Sequence, residues 1–219
     1  KIVNTLTGHQ KAVSALSVSR DGTLLLSASN KDVVVVWNIN TAKQKTFWPI
    51  TEQVFTAEIS SANSFVSLSA AARHLSSGGY SMWDLKTTKQ LYKGTFETNN
   101  LKTQHFSPDG KFFITSPSNA ITQLHDPRSG KVLSSVVADE IFGYVECAQF
   151  SDNGKYLLTA GYDRAGHLWD LSSGAEISRL SGHTLYTNTL EFSKDGKYFV
   201  TASDDATARI VDAATGAAI

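Results

Sequence analysis

The chain repeats itself at intervals of 42 to 46 residues, and this repetition limits what it can fold into. The segment "FSKDGKYFVTASDD" at 192–205 resembles "FSDNGKYLLTAGYD" at 150–163 and "FSPDGKFFITSPSN" at 106–119. A further copy is "VSRDGTLLLSASNK" at 18–31, and "ISSANSFVSLSAAA" at 59–72 is more divergent. The serines that open these blocks keep the interval: Ser19, Ser61, Ser107, Ser151 and Ser193.

A second landmark follows each block and keeps the same interval. It is the middle residue of "VWN", "MWD", "LHD", "LWD" and "IVD". These middle residues are Trp37, Trp83, His125, Trp169 and Val211. Because two separate landmarks agree, the chain consists of five copies of one structural unit.

The local pattern of each copy is typical of β structure. An Asp-Gly or Asn-Gly dipeptide, which suits a tight turn, precedes a short run of apolar, β-branched or aromatic residues. No helical periodicity of useful length interrupts these runs. Each copy is predicted to be an antiparallel sheet of four strands, and such sheets become stable by stacking on their neighbours.

Three features together resemble the WD-repeat β-propeller family. They are the Gly-His dipeptides at Gly8-His9 and Gly182-His183, the Ser-x-Asp-Gly turns, and the Trp-Asp strand endings. The resemblance covers essentially the whole chain and implies an all-β fold of radial four-stranded blades around a central channel. It also implies an interaction module without catalytic activity.

We predict a single propeller domain over residues 1–219. Its repeats, each starting at an outer strand, are expected at about 1–42, 43–88, 89–130, 131–174 and 175–216, with 217–219 starting a further outer strand. Two arrangements stay open: a closed ring of five blades, or a stretch of a longer propeller of seven. The second is favoured, because seven is the usual count in the family and the last outer strand has only begun at residue 217.

The resemblance also implies a buried hydrogen-bonded set in each blade, made of a Gly-His histidine, a strand Ser or Thr, a turn Asp and the Trp. The positions that carry it over are His9, Ser29, Trp37, Asp163, Trp169, His183, Ser203 and Asp205. No repeat has the whole set. Ile141 stands where repeat four should have its histidine, and Lys31 takes the Asp position of repeat one with Asp32 beside it. The blades are therefore expected to be stabilised mainly by apolar stacking.

Charge and cysteine content narrow the function and the location. The chain has 20 basic and 20 acidic residues, so it lacks the basic surplus of a dedicated nucleic-acid binder. Its one cysteine, Cys147, can form no internal disulfide. We therefore favour the cytoplasm, with a periplasmic or other exported location left open. No apolar run is long enough to span a membrane.

The six histidines do not predict a catalytic or metal site. His9 and His183 belong to the Gly-His dipeptides and are expected to be structural. His125 occupies a Trp position, where packing explains it. His74, His105 and His167 lie in different repeats without metal-ligand spacing. We therefore predict no catalytic residue, no metal and no cofactor.

Two other functions stay open beside the interaction scaffold. Some five-bladed propellers of other families are glycoside hydrolases, and Glu58, Glu146 and Glu191 fall on predicted inner strands. They do not share a layer, however, and such an enzyme needs two carboxyl groups at a fixed separation. The blades could also be a purely structural subunit of a larger assembly.

We predict that partner proteins or peptides bind where outer strands lead into the next inner strand, the top face of a propeller. Aromatic residues concentrate there in repeats four and five, and tyrosines contribute much contact area at low entropic cost. The predicted contact residues are Tyr144, Tyr186, Tyr162, Phe55, Lys102, Asn188, Glu146, Asn30 and Asp204.

Overall fold

The computed structural model describes residues 3–71, 78–96, 105–118, 121–137 and 145–219. Within these ranges the chain is all-β: it forms 19 strands and no helix. The strands make five antiparallel sheets, which confirms the predicted fold class. Whether the sheets close into a ring stays a prediction.

Each sheet is a meander in which consecutive strands pair with each other. The first sheet has the order β1-β2-β3-β4 and the second the order β5-β6-β7-β8. Their strands are β1 Val13–Val18, β2 Leu24–Ser29, β3 Val33–Asn38, β4 Lys43–Pro49, β5 Thr56–Ile59, β6 Phe65–Ala71, β7 Gly78–Asp84 and β8 Gln90–Phe96.

The third and fourth sheets have the same order, and the fifth has three strands. Their strands are β9 His105–Phe106, β10 Phe113–Ser118, β11 Ile121–His125, β12 Val132–Val137, β13 Val145–Phe150, β14 Tyr156–Gly161, β15 Gly166–Asp170, β16 Glu176–Leu180, β17 Thr187–Phe192, β18 Tyr198–Ser203 and β19 Ala208–Asp212. Beside β19, residues 217–219 add only a single bridge, between Val211 and Ala218. An outer strand was predicted over residues 1–6, and the described part of it, residues 3–6, belongs to no strand.

A serine closes the turn between the first and second strands of each blade. In the first blade the backbone N–H of Leu24 donates to Ser19 Oγ at 2.8 Å, and the Ser19 hydroxyl donates to Asp21 at 2.6 Å. Gly22 adopts a φ of 69°, which brings its N–H to the Ser19 carbonyl at 2.8 Å. The Ser-x-Asp-Gly pattern is therefore one hydrogen-bonded turn.

The second blade departs from the predicted alignment by one residue. Ser60, and not Ser61, takes the turn position: its Oγ accepts the N–H of Phe65 at 2.9 Å, and it is completely buried. Asn63 replaces the turn glycine with a φ of 52°, a conformation that Asn tolerates better than most residues. Because Ser60 and Ser61 are adjacent, the sequence alone does not show which of the two takes the turn position.

The chain divides into two compact units, each with its own packing. The first comprises Lys1–Leu101 and Pro127–Gly130. Its core joins the first two sheets through alternate strand residues such as Leu26, Val36 and Val66, all fully buried. Successive side chains of a strand point to opposite faces, so this alternation is what stacked sheets require.

The second unit comprises Lys102–Asp126 and Lys131–Ile219. Ile114 and Leu157 are buried in a cluster that joins the third and fourth sheets. Leu158 and Phe199 are buried in a second cluster, between the fourth and fifth sheets. The fourth sheet therefore packs on both of its faces.

Candidate functional site

The first blade contains a complete hydrogen-bonded set. His9 Nε2 lies 2.6 Å from Ser27 Oγ, and the indole N–H of Trp37 donates to the same oxygen at 2.8 Å. His9 Nδ1 lies 3.1 Å from Ser29 Oγ, and the Ser29 hydroxyl donates to Asp32 at 2.6 Å. This hydrogen bond lowers the pKa of Asp32, despite an opposing contribution from burial. The expectation that no repeat has the whole set was wrong. Position 31 is a lysine, but the next residue, Asp32, supplies the missing carboxylate.

The fifth blade has the same arrangement without a tryptophan. His183 Nδ1 donates to Asp205 at 2.9 Å, and Thr201 Oγ1 lies 2.9 Å from His183 Nε2. The backbone N–H of Thr184 also donates to Asp205, at 3.0 Å. Ser203, predicted as the strand hydroxyl, instead donates to the Leu185 carbonyl at 3.1 Å.

In the fifth blade the hydroxyl that meets the histidine lies two residues earlier than predicted, on Thr201 and not on Ser203. In the first blade both the predicted Ser29 and Ser27, two residues earlier, meet His9. Because side chains alternate along a strand, a two-residue shift keeps the same face and leaves no trace in the hydrophobic pattern.

The fourth blade replaces the Gly-His histidine with one from its own hairpin. His167, on β15, is completely buried, and its Nε2 lies 2.5 Å from Asp163 Oδ2. Its Nδ1 lies 2.8 Å from Glu176 Oε1, and its ring stacks on Trp169 with centroids 5.8 Å apart. The indole N–H of Trp169 donates to Thr159 at 2.9 Å. Sequence reasoning missed this role of His167, because it tested the histidine only for metal-ligand spacing.

Burial alone would lower the pKa of the His167 imidazole. The hydrogen bond and the negative charge of Asp163 oppose that effect, and those of Glu176 add to them. The pKa of His167 consequently lies above its usual value of 6.5. A protonated imidazole has an N–H on each nitrogen, which matches two carboxylate acceptors.

The third blade uses histidine in the Trp position. His125 is buried, and its Nε2 lies 2.8 Å from Thr115 Oγ1. In the second blade the indole N–H of Trp83 donates to Ser81 at 2.9 Å. Its ring packs on Trp48 with centroids 5.6 Å apart.

Four of the predicted contact residues come together in the second unit. The rings of Tyr162 and Tyr186 stack with centroids 4.3 Å apart and planes inclined by 14°. The backbone N–H of Asp204 donates to the Tyr186 carbonyl at 3.0 Å, and the amide of Asn188 donates to the Asp204 carboxylate at 2.5 Å. Tyr186 is 41% exposed. We call Tyr162, Tyr186, Asn188 and Asp204 the aromatic platform.

Two other predicted contact residues belong to the first unit. Asn30 lies in the first unit, where its side-chain oxygen accepts the N–H of Val54 at 3.0 Å and the Ser14 hydroxyl at 3.1 Å. Phe55 is half-buried in the same unit. Tyr144, Lys102 and the side chain of Glu146 lie outside the described residues.

Two of the three carboxylates considered for a hydrolase, Glu58 and Glu191, have described side chains. Glu58 is half-buried in the first unit, and Glu191 is exposed in the second. A cavity of 180 Å³ in the first unit has one carboxylate in its lining, that of Glu52, which pairs with Lys93. Within the described ranges, no group of three or more potential metal ligands occurs. The described part of the chain likewise contains no helix of the length and apolarity needed to cross a membrane.

Comparison with known proteins connects these features to one family. The family pattern described as "WD domain, G-beta repeat" matches residues 1–38, 130–170 and 174–212, which together make up more than half of the chain. These regions include both Gly-His histidines and the His167 hairpin.

Three curated relatives illustrate the range of similar proteins. Pre-mRNA-processing factor 19 homolog 2 of Arabidopsis thaliana is 29% identical over 178 residues, 78% of this chain and 32% of the relative. Guanine nucleotide-binding protein subunit beta-1 of Caenorhabditis briggsae is 26% identical over 105 residues, 47% of this chain and 31% of the relative. Eukaryotic translation initiation factor 3 subunit I of Aspergillus terreus is 25% identical over 174 residues, 76% of this chain and 52% of the relative. The chain thus spans about a third to about a half of their lengths.

Proposed function

The chain belongs to the WD40 family, and on this premise we propose that it is a non-enzymatic scaffold that binds partner proteins or peptides through the aromatic platform. The fold supplies a rigid support, and binding residues are commonly placed on the loops of such supports. One scaffold carries many functions, so the proposal depends on the local surface and not on the fold alone.

The observation that carries the proposal is the stacked tyrosine pair, in which Tyr186 is exposed and Tyr162 is half-buried. An exposed aromatic ring that is already fixed loses little conformational entropy when a partner covers it. Asn188 and Asp204 beside the pair add an amide and a carboxylate that can fix the orientation of a partner. Binding energy concentrates in a few such tyrosines surrounded by polar groups.

The names of two relatives support the proposal that this chain is part of a multiprotein complex. The Caenorhabditis protein is named a subunit of a guanine nucleotide-binding protein, and the Aspergillus protein a subunit of a translation initiation factor. We propose by analogy that this chain also works as one component among several. The balanced charge supports protein over nucleic acid as its partner.

We propose the cytoplasm as its location and no catalytic activity. The single cysteine, Cys147, has a half-buried thiol and cannot form an internal disulfide, which suits a reducing compartment. The glycoside hydrolase is less well supported, because such an enzyme needs a matched pair of carboxyl groups, whereas Glu58 and Glu191 differ in burial.

The test compares two tyrosines of similar exposure. Tyr186 in the platform is 41% exposed, and Tyr198, on β18 and outside the stack, is 39% exposed. Partners that co-purify with the wild-type protein are identified by mass spectrometry, and their affinities for both alanine variants are then measured by calorimetry. We expect Tyr186→Ala to weaken binding about 30-fold, the effect of one contact worth about 2 kcal/mol. Tyr198→Ala should leave the affinity unchanged, and equal affinities for the two variants would refute the platform as the binding surface.

Tyr144 stays a predicted contact residue on sequence grounds. Tyr144→Ala is expected to weaken the same partners, since its repeat position is equivalent to that of Tyr186. Circular dichroism of each variant should match the wild-type spectrum, so that a loss of binding is not a loss of folding.

A further inference from the structure

The buried His167 is held between two carboxylates of its own blade. Asp163 Oδ2 lies 2.5 Å from Nε2, and Glu176 Oε1 lies 2.8 Å from Nδ1. Carboxylates only accept hydrogen bonds, so both contacts require an N–H on each ring nitrogen. His167 is therefore a buried cation as long as both contacts are present.

Asp163 connects this cation to a turn. Its Oδ1 accepts the backbone N–H of Ala165 at 3.2 Å, while its Oδ2 faces His167. Arg164 between them has a φ of 65°, and its N–H reaches the Gly161 carbonyl at 3.3 Å. The Asp163 carboxylate thus joins the turn between β14 and β15 to the side chain of His167.

Tyr162 is the residue of this turn that belongs to the aromatic platform. It directly precedes Asp163, and its ring stacks on Tyr186 across the junction of the fourth and fifth blades. The backbone that carries the ring is therefore fixed by the contact between Asp163 and His167. Side chains of a binding site are placed accurately only when the groups behind them are also fixed.

We propose that His167 is a positioning residue for the aromatic platform: by binding Asp163 it fixes the turn that presents Tyr162 to Tyr186. The inference rests on the proposed function for its biological meaning, since the platform is the proposed contact surface. It concerns this chain in particular. In the first and fifth blades the turn acid is bonded from the Gly-His segment, by the N–H of Gln10 to Asp32 and by His183 to Asp205.

In the fourth repeat the Gly-His position is Ile141, whose side chain has no hydrogen-bonding group. The acid of the turn, Asp163, is bonded instead by a histidine four residues later in the same hairpin. The position of Tyr162 thus depends on a histidine, His167, that lies in the same short segment of sequence.

The two carboxylates are not equivalent. Among the described residues, the charged groups that face His167 or its partners are Asp163, Glu176 and Arg179, whose Nη2 lies 3.5 Å from Asp163 Oδ2. The Asp163 side chain is 4% exposed and that of Glu176 is 34% exposed. Glu176 can turn to water when its bond is lost, whereas Asp163 without His167 would be a buried charge balanced by Arg179 at 3.5 Å. The turn should therefore depend on Asp163 and tolerate the loss of Glu176.

The experiment reads the tyrosine stack directly by NMR of ring-labelled tyrosine, without any partner. Stacking shifts the ring protons of Tyr162 and Tyr186 upfield, and we expect this shift in the wild-type protein and in Glu176→Gln. It should be lost in His167→Leu and in Asp163→Ala. In Asp163→Asn it should return, because the amide oxygen can accept the Ala165 N–H while the amide N–H donates to the unprotonated Nε2 of a neutral His167.

His9→Leu is the matched control, since it removes a structural histidine from the first blade and should leave the stack unchanged. If His167→Leu does not fold, His167→Gln and the Asp163 pair decide the question. An unchanged stack in folded His167→Leu and Asp163→Ala would overturn the proposal, and so would an equal loss in His9→Leu.

The two proposals can fail separately. A stack that loosens in His167→Leu, together with partner binding that is indifferent to Tyr186→Ala, would support the positioning role and sink the proposed function. Partner binding that needs Tyr186 while the stack ignores His167 would do the reverse.

Discussion

At the scale of single residues, one hydroxyl in the second strand carries much of the polar bonding in a blade. Ser27 meets both His9 and Trp37, Thr159 meets Trp169, and Thr201 meets His183. Each of these hydroxyls is buried, and a buried polar group is tolerated because its hydrogen bonds are made. A cost should therefore follow when one partner alone is removed.

We expect Thr201→Val to destabilise the protein by about 2 kcal/mol, because it leaves His183 Nε2 buried without a partner while nearly conserving volume. Ser203→Ala removes a half-buried hydroxyl that bonds two backbone groups, the Leu185 carbonyl and the Asp205 N–H, and it should cost less, about 1 kcal/mol. Urea denaturation of the two variants measures the difference. If Ser203→Ala proves the more costly, the hydroxyl assignment from the structure is wrong.

His167 makes stability depend on pH at the same scale. Its pKa in the folded protein lies above 6.5, so the folded state binds the proton more tightly than the unfolded chain does. The stabilisation is fully present below about pH 6.5 and is lost as the pH rises through the folded pKa. The urea midpoint of the wild-type protein should fall over that window relative to His167→Leu. Parallel pH curves for the two proteins would contradict this.

At the scale of the element, the turn between the first two strands is conserved in geometry and not in residue type. Asp21, Asp109 and Asp195 accept in three of these turns, and Asn153 accepts in a fourth. In the first turn the hydrogen bond from the Ser19 hydroxyl, followed by those of Thr23, lowers the pKa of Asp21 well below its usual range. In these four turns both a carboxylate and an amide serve as the acceptor, whereas the second blade has Ala62, which offers no side-chain acceptor, at that position.

Two adjacent serines test this turn in the second blade. Ser60→Ala should destabilise the protein by about 2 kcal/mol, since it leaves the buried N–H of Phe65 without its side-chain acceptor. Ser61, the residue chosen by sequence alignment, is half-buried, and Ser61→Ala should change stability by less than about 0.5 kcal/mol. Thermal unfolding by circular dichroism of both variants provides the comparison. Equal effects would favour the alignment over the structure.

The repeats and their turns could be predicted from the sequence because both depend on local patterns. Asp-Gly turns and alternating apolar residues show the sheets directly. What could not be predicted depends on contacts across strands: Asp32 in place of Lys31, and His167 in place of Ile141. A signal for the second was present, an acid four residues before a histidine across a hairpin turn. Without a structure, nothing distinguishes that pair from two solvated side chains.

At the scale of the whole molecule, each unit is stabilised by contact between neighbouring sheets. The fourth sheet packs on both faces, and the fifth packs Phe199 and Val211 against it. The opposite face of the fifth sheet exposes Tyr198, Val200 and Ile210. Neighbouring residues of the same strand therefore contribute very differently to stability.

Phe199 and Val200 show this difference on adjacent positions of β18. Phe199 is completely buried and Val200 is 41% exposed. Phe199→Ala should destabilise the second unit by about 4 kcal/mol through lost burial and the cavity left behind. Val200→Ala should cost about 0.5 kcal/mol. Hydrogen exchange of the amides in β14 and β18 measures both, and similar protection factors in the two variants would show that the stacked face is not what stabilises this unit.

The bond between Asp163 and His167 has a consequence for protein engineering. Because the hydrogen bond that stabilises this turn lies inside one hairpin, the turn can be moved together with that hairpin. The turns of Asp32 and Asp205 also depend on hydrogen bonds from a preceding segment. Residues 156–170 can therefore be transplanted as one segment into repeat proteins of other sequence. There the hydrogen bond between Asp163 and His167 would still stabilise the turn, and its strength would depend on pH. The segment that precedes such a repeat can also change more freely in evolution, because the hydrogen bonds of the turn do not depend on it.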